Sequence, residues 1–194
     1  MTAPLAYTAA TELCRMVRAR QLSPVELIRG TLERIETCQP TLNGFITVCA
    51  DEAMDAAQRA EQAVVNGDEL GPLHGIPFTV KDLIDTEGVR TTMGSYIFEH
   101  HVPRQDAISV ARLKAAGGIL VGKTTTPEFG HKPFTRAPLF GETPNVWNSD
   151  RVSGGSSGGA AVCAAAGLAA LNLGTDGGGS IRIPAAVNGI FGIK

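Results

Sequence analysis

The chain offers little of what marks several large protein classes. Lysine and arginine (17) nearly balance aspartate and glutamate (19), a formal net charge of −2, so there is no electrostatic reason to expect nucleic acid or an anionic membrane as a partner. No apolar run approaches the roughly 18–20 residues of a membrane span. The opening Met1-Thr2-Ala3-Pro4 lacks the basic and apolar regions of a secretory signal. Only four cysteines are present (Cys14, Cys38, Cys49, Cys163), far apart and without a CxxC pair, which excludes the usual zinc site and a disulfide scaffold. The histidines, His74, His100, His101 and His131, lack metal-ligand spacing; the adjacent pair would point apart in a helix or a strand. Internal repeats and low-complexity linkers are missing. With 43% hydrophobic and 19% charged residues over 194 positions, disorder is excluded as well. The expectation is one soluble, reduced, cytoplasmic globular unit with no metal and no cofactor.

Glycine is in excess. There are 23, against about 14 at the usual ~7%. Three lie before residue 71 and twenty from there on. Because glycine costs backbone entropy, this concentration points to a backbone that turns sharply or approaches something closely. Residues 1–70 read as a helical segment. Thr8 can cap a first helix. Ser23, Pro24 and Glu26 form a capping box before Val25, Leu27, Ile28, Leu32 and Ile35, which repeat at helical spacing. A short strand at 44–48 and an Ala- and Glu-rich helix at 51–65 follow. From 71 onward the pattern predicts strands at 76–80, 119–122, 169–175 and 189–193. It predicts helices at 108–116, 158–168 and 180–187, with irregular stretches at 86–106 and 125–152. Helices alternating with short apolar strands imply an α/β fold with a mixed, largely parallel sheet flanked by helices.

Two motifs fail their context test. Gly117 to Thr124 matches the phosphate-loop pattern GxxxxGK[ST], but a helix precedes it and Thr124-Thr125-Thr126-Pro127 does not start one afterwards. Gly154-Gly155-Ser156-Ser157-Gly158 matches the GxSxG nucleophile elbow. The residues before it make a poor strand, and every histidine lies upstream, whereas that architecture places its histidine downstream.

Three other blocks each offer a reactive part. Lys81 closes the apolar strand Ile76-Pro77-Phe78-Thr79-Val80. A lysine desolvated there has a lowered pKa and can act as a base. Ser156 lies in a Gly/Ser loop, Ser153 to Ala161, that permits unusual backbone geometry. Ser180 follows Gly177-Gly178-Gly179 at the start of an expected helix, where unhindered N–H groups make an oxyanion site. Together they supply nucleophile, base and electrophilic hole without histidine. Asp176 and Arg182 read as a loop brace or salt bridge, and Ser153 and Ser157 as loop-shaping residues.

At these residues the sequence resembles the amidase signature family. The resemblance rests on the Gly/Ser block, on the Gly-Gly-Ser-Ile-Arg-Ile-Pro block that places Ser180 24 residues after Ser156, and on Val-Lys-Asp, with Lys81 75 residues before Ser156. It implies hydrolysis of a carboxylic amide to acid plus ammonia or amine by a Ser-Ser-Lys triad. Ser180 would be the acylated nucleophile and Ser156, joined to Gly155 by a cis peptide bond, the proton relay. Lys81, neutral at rest, would be the base, with the N–H groups of Gly177, Gly178, Gly179 and Ser180 as oxyanion hole. A small-molecule amide is the implied substrate.

The resemblance covers nearly the whole chain but only part of a family domain. The chain therefore reads as the N-terminal part of a single domain, a helical segment to residue 70 and a catalytic α/β core from 71. Its unfinished sheet edge would take either a second copy or a complementing chain. Two other readings stand beside the amidase: the glutaminase subunit of a tRNA-dependent amidotransferase, using the same triad, and an inactive fragment or assembly module.

Overall fold

The structure, a computed structural model, describes residues 3–194. The chain begins with three helices, α1 (Ala3–Ala6), α2 (Ala10–Arg18) and α3 (Pro24–Leu42). Ser23 caps α3: its hydroxyl oxygen accepts the Glu26 N–H at 3.1 Å, worth about 1 kcal/mol over alanine. The same hydroxyl donates to Glu61, so one cap also ties α3 to α4 (Ala50–Asn66). The helix continues through Pro40 and ends where Asn43 turns left-handed, φ 42°. In α4, Ala53, Ala57, Ala60 and Val64 form the buried stripe, at helical spacing.

The main sheet has the order β1-β3-β2-β6, from β1 (Phe45–Val48), β2 (Pro77–Lys81), β3 (Ile119–Thr124) and β6 (Leu171–Leu173). β2 runs parallel to β3 and to β6, and β1 pairs with β3 antiparallel. This is the mixed, largely parallel sheet that the alternating pattern implies. A two-residue hairpin, β4 (Arg136–Ala137) and β5 (Gly141–Glu142), stands apart within the expected loop at 125–152. Every residue of β2 is buried, and its alternation sorts chemistry from packing. Phe78 and Val80 pack with Val110 of α5 (Ile108–Ala115). Thr79 and Lys81 turn to the other face. Ile28 and Ile35 of α3, Ala53 and Ala57 of α4, Val121 of β3 and Cys163 of α6 (Gly158–Ala165) share a second cluster, so the helical segment and the sheet form one core.

The C-terminal third departs from the sequence pattern in three places. α6 stops at Ala165 because Gly167 turns left-handed, φ 64°, and the strand expected at 169–175 pairs only over Leu171–Leu173. The last helix, α7 (Arg182–Asn188), starts two residues after Ser180 rather than at it. The strand expected at 189–193 does not form. Left-handed Gly189 closes α7, and Phe191 and Ile193 are exposed, unpaired with any strand among the described residues. The phosphate-loop look-alike is a buried strand, β3, whose lysine, Lys123, is wholly enclosed. No described helix is long and apolar enough to cross a membrane.

Candidate active site

Lys81 is the last residue of the central strand, and its side chain is fully buried. Its Nζ lies 2.6 Å from Ser156 Oγ and 2.8 Å from Thr175 Oγ1. Burial drives the Lys81 pKa down to about 7, opposed in part by the nearby Asp176 carboxylate. An amine that is substantially neutral near pH 7, touching a buried hydroxyl, is a base in position to take that proton.

Ser156 is 2% exposed and follows a cis Gly155–Ser156 bond. Its loop is gripped on several sides. Thr135 Oγ1 donates to the Gly154 carbonyl at 2.9 Å, and Asn188 Nδ2 donates to the Ser153 carbonyl at 2.7 Å. Ser157 forms the start of α6 and joins the Ser156 loop to the glycine run in two ways. Its N–H donates to the Ser180 carbonyl at 3.0 Å, and its hydroxyl donates to the Thr175 carbonyl at 3.2 Å. Ser180 thus reaches the Lys81–Ser156 pair through the backbone of the next residue along. Its own hydroxyl is half-buried and has no hydrogen-bond partner among the described residues.

The loop Thr175–Ile181 is organised by Asp176. Its carboxylate accepts the N–H groups of Gly179 at 2.7 Å, Ile181 at 3.1 Å and Arg182 at 3.2 Å. It also pairs with the Arg182 guanidinium at 2.9 Å, which holds the carboxyl well below the usual carboxylate range. Asp176 and Arg182 are therefore the loop brace the sequence suggested. This also explains why α7 starts late: a carboxylate from outside the helix satisfies the N–H groups that Ser180 would otherwise cap. The Gly179 N–H is engaged by that carboxylate. Those of Gly177, Gly178 and Ser180 make no hydrogen bond among the described residues and remain open to an oxygen.

Thr175 is the member of the site that sequence reading passed over. Its one signal was its place just before Asp176 and the three glycines, and its partner Lys81 lies 94 residues away. No histidine hydrogen-bonds to Lys81, Ser156 or Ser180 among the described residues: the His74 ring meets the Ala60 carbonyl at 2.9 Å and the His131 ring the Glu128 carbonyl, and no group of residues able to hold a metal occurs among the described residues. All four cysteines are free. The GxSxG reading fails on its strand: among the described residues the segment from 143 to Ser156 forms an isolated bridge, Pro144 with Val152, and no strand leads into Ser156.

Known proteins resemble this chain in sequence and in fold. A family model described as Amidase matches residues 26–194. The chain is 41% identical over 190 residues to a glutamyl-tRNA(Gln) amidotransferase subunit of Carboxydothermus hydrogenoformans, covering 98% of this chain and 39% of that one. It is 48% identical over 174 residues to the corresponding protein of Roseiflexus sp., covering 90% and 36%. Among solved structures, a bacterial aryl acylamidase of the amidase signature family superposes with a TM-score of 0.91 at 34% identity, over 95% of this chain and 38% of that chain. A peptide amidase bound to chymostatin gives 0.90 at 33%, over 95% and 39%. The chain thus spans about two fifths of the length of these relatives.

Proposed function

The chain belongs to the amidase family, and from that premise we propose that it forms the N-terminal part of a single domain hydrolysing carboxylic amides through an acyl-enzyme on Ser180. The observation that carries this reading is the buried Lys81 amine 2.6 Å from Ser156 Oγ. In the reaction, Ser180 Oγ attacks the amide carbon as its proton passes to Ser156 Oγ and the Ser156 proton passes to Lys81 Nζ. The carbonyl oxygen becomes an oxyanion, received by open N–H groups of the glycine run, chiefly Gly177, Gly178 and Ser180. Losing one such donor typically costs on the order of 3–4 kcal/mol in the barrier. The C–N bond then breaks as the proton returns through Ser156 to the leaving nitrogen. Water, deprotonated along the same route, releases the acid from Ser180. No metal or cofactor takes part in this scheme, and four free cysteines fit a reducing, cytoplasmic setting.

The test is a fluorophosphonate that reacts with activated serines, followed by peptide mapping. Labelling at Ser180, and loss of turnover in Ser180→Ala, is the expected result. Labelling at Ser156 with Ser180→Ala active overturns it.

A second reading has its own support: the curated relatives above belong to amidotransferases and are 41% and 48% identical. In that reading the amide is glutamine, and the ammonia passes to another protein of the complex rather than to water. Release of free ammonia from simple amides by the chain without such partners favours the stand-alone amidase.

A further inference from the structure

The lysine of the phosphate-loop look-alike is left without a role by the chemistry above, and so is the residue after Lys81. The two meet in the core. Lys123 Nζ lies 3.8 Å from Asp82 Oδ1, and both side chains are fully buried. Lys123 Nζ donates to the Ile84 carbonyl at 2.7 Å and to Thr91 Oγ1 at 2.6 Å. Asp82 Oδ2 accepts the Thr92 N–H at 3.0 Å and the Thr92 hydroxyl. The Ile84 N–H in turn donates to the Lys81 carbonyl at 3.0 Å. The pair therefore grips the turn that immediately follows Lys81 and fastens it to β3 and to the 91–95 loop. That loop continues the connection. The Met93 carbonyl accepts the Phe129 N–H at 2.8 Å and Ser95 Oγ donates to Glu128 at 2.7 Å, fixing the turn whose Gly130 abuts Ser156.

We propose that Asp82 and Lys123 are positioning residues for the base: their buried pair, locked by Thr91, Thr92 and Ile84, sets where the Lys81 amine stands relative to Ser156 and keeps it out of water. A buried ion pair is weak evidence of stabilisation, since desolvation offsets much of its attraction. Two buried charges flanking the base, each bonded to the segments that frame it, fit a demand for geometry. Misplacing a reacting group by about 1 Å can cost on the order of 10²-fold in rate. The proposal rests on Lys81 being the base.

The charged groups around the pair are Arg90, Asp85 and Asp106, with Cys49 also near Lys123; Asp176 is the one that faces Lys81 itself. None of these is altered in the test. The intact protein is compared with Lys123→Met, Asp82→Asn, Thr92→Val and Thr92→Ser for kcat, KM and the acid limb of the pH profile, with melting temperature as a check on folding. Expected for Lys123→Met and Asp82→Asn is a fall in kcat on the order of 10²-fold with KM nearly unchanged. The acid limb moves to higher pH as the Lys81 amine gains water. Thr92→Val, which keeps both charges and removes the hydroxyl donor, gives the same pair of changes in smaller degree, and Thr92→Ser restores the parent. If the charge variants fail to fold, the Thr92 variants alone decide. Folded variants with the parent acid limb and kcat overturn the proposal. Lys81→Ala distinguishes the two failures: if it stays active, the reading of Lys81 as base fails; if it is dead while Lys123→Met and Thr92→Val match the parent, the positioning claim alone fails.

Discussion

Ser157 holds Thr175 from both sides: its hydroxyl donates to the Thr175 carbonyl at 3.2 Å and accepts the Thr175 N–H at 3.3 Å. That clamp sets the Thr175 hydroxyl 2.8 Å from Lys81 Nζ, whose other partner is Ser156 Oγ. A neutral amine has two N–H groups and one lone pair. If an N–H is given to Thr175, the lone pair can face Ser156.

Thr175→Val keeps the shape and removes the acceptor. An ammonium loses more than an amine when an acceptor disappears, so the Lys81 pKa should fall further. Expected are a kcat at least about tenfold lower, within the range that general-base catalysis contributes, and an acid limb displaced to lower pH. Thr175→Ser should restore both. A full pH–rate profile checks this, and an unmoved limb with parent kcat in Thr175→Val sinks it.

The buried Lys81 amine also ties the proposed activity, and stability, to pH. With the Lys81 pKa near 7, kcat/KM should climb through neutral pH and level off above it. For stability, the unfolded chain holds the Lys81 proton up to about 10.5, while the folded chain releases it near 7. Between these values the unfolded state binds more protons, so this group's contribution to stability rises with pH. Below about 7 the full burial penalty is present. Lys81→Met removes the titration. Its melting temperature relative to the parent should therefore be highest at and below neutral pH and decline steadily toward pH 10. A constant difference across that window would show that Lys81 is not buried as described.

The glycine run divides into positions that tolerate a side chain and one that does not. Gly179 has φ 119°, a region closed to other residues, and a Cβ there would lie 2.9 Å from Ile183 Cδ1. Its N–H is also held by Asp176. Gly178 has open space around its Cα. Gly179→Ala should cost roughly 1–3 kcal/mol of backbone strain and lower kcat by misplacing the neighbouring N–H of Ser180. Gly178→Ala, which retains its own N–H, should leave the melting temperature unchanged. Thermal unfolding of the two variants, with kcat for each, separates these cases. Equal effects would show that the loop is not built around Asp176.

The parts of the site that were legible in the sequence are those that local rules govern. Ser23 and Pro24 announce the start of α3, and Ser23 caps it; the far side of that cap, the bond to Glu61, is invisible because it joins residues 38 apart. The apolar run ending in Lys81 predicts a buried strand with its lysine at the end, and the strand is there. Thr175 could not be found by such rules, since its role comes from a contact across the sheet. The strand expected at 189–193 shows the converse error. The apolar residues Ile190, Phe191 and Ile193 carry strand propensity, but pairing needs a neighbour, and after left-handed Gly189 closes α7 the segment joins no sheet among the described residues. The start of α7 differs for a local reason: the carboxylate of Asp176, four residues before Ser180, accepts the Ile181 and Arg182 N–H groups in place of the serine.

At Gly159, in the first turn of α6, two local effects compete and their sizes decide the outcome. Replacing glycine by alanine within a helix ordinarily gains about 0.8–1.0 kcal/mol. Here a Cβ would collide with Thr125 Oγ1 and come within 2.5 Å of the Thr125 backbone nitrogen and 2.7 Å of the Gly44 carbonyl oxygen. Two of those three atoms are main chain, one in the segment after β3 and one just before β1, so they cannot swing aside as a flexible side chain would. Overpacking of this kind costs typically about 1–3 kcal/mol, which outweighs the helical gain. Gly159→Ala should therefore lower the urea midpoint, and it should also reduce kcat, because α6 would be pushed off the sheet and would carry Ser156 away from Lys81. Cys163, further along α6 and buried, provides the contrast: Cys163→Ala should lose stability through its cavity while leaving the Lys81–Ser156 distance, and so the pH profile, as in the parent. A Gly159→Ala protein with an unchanged midpoint would mean that α6 can move away from the sheet at little cost.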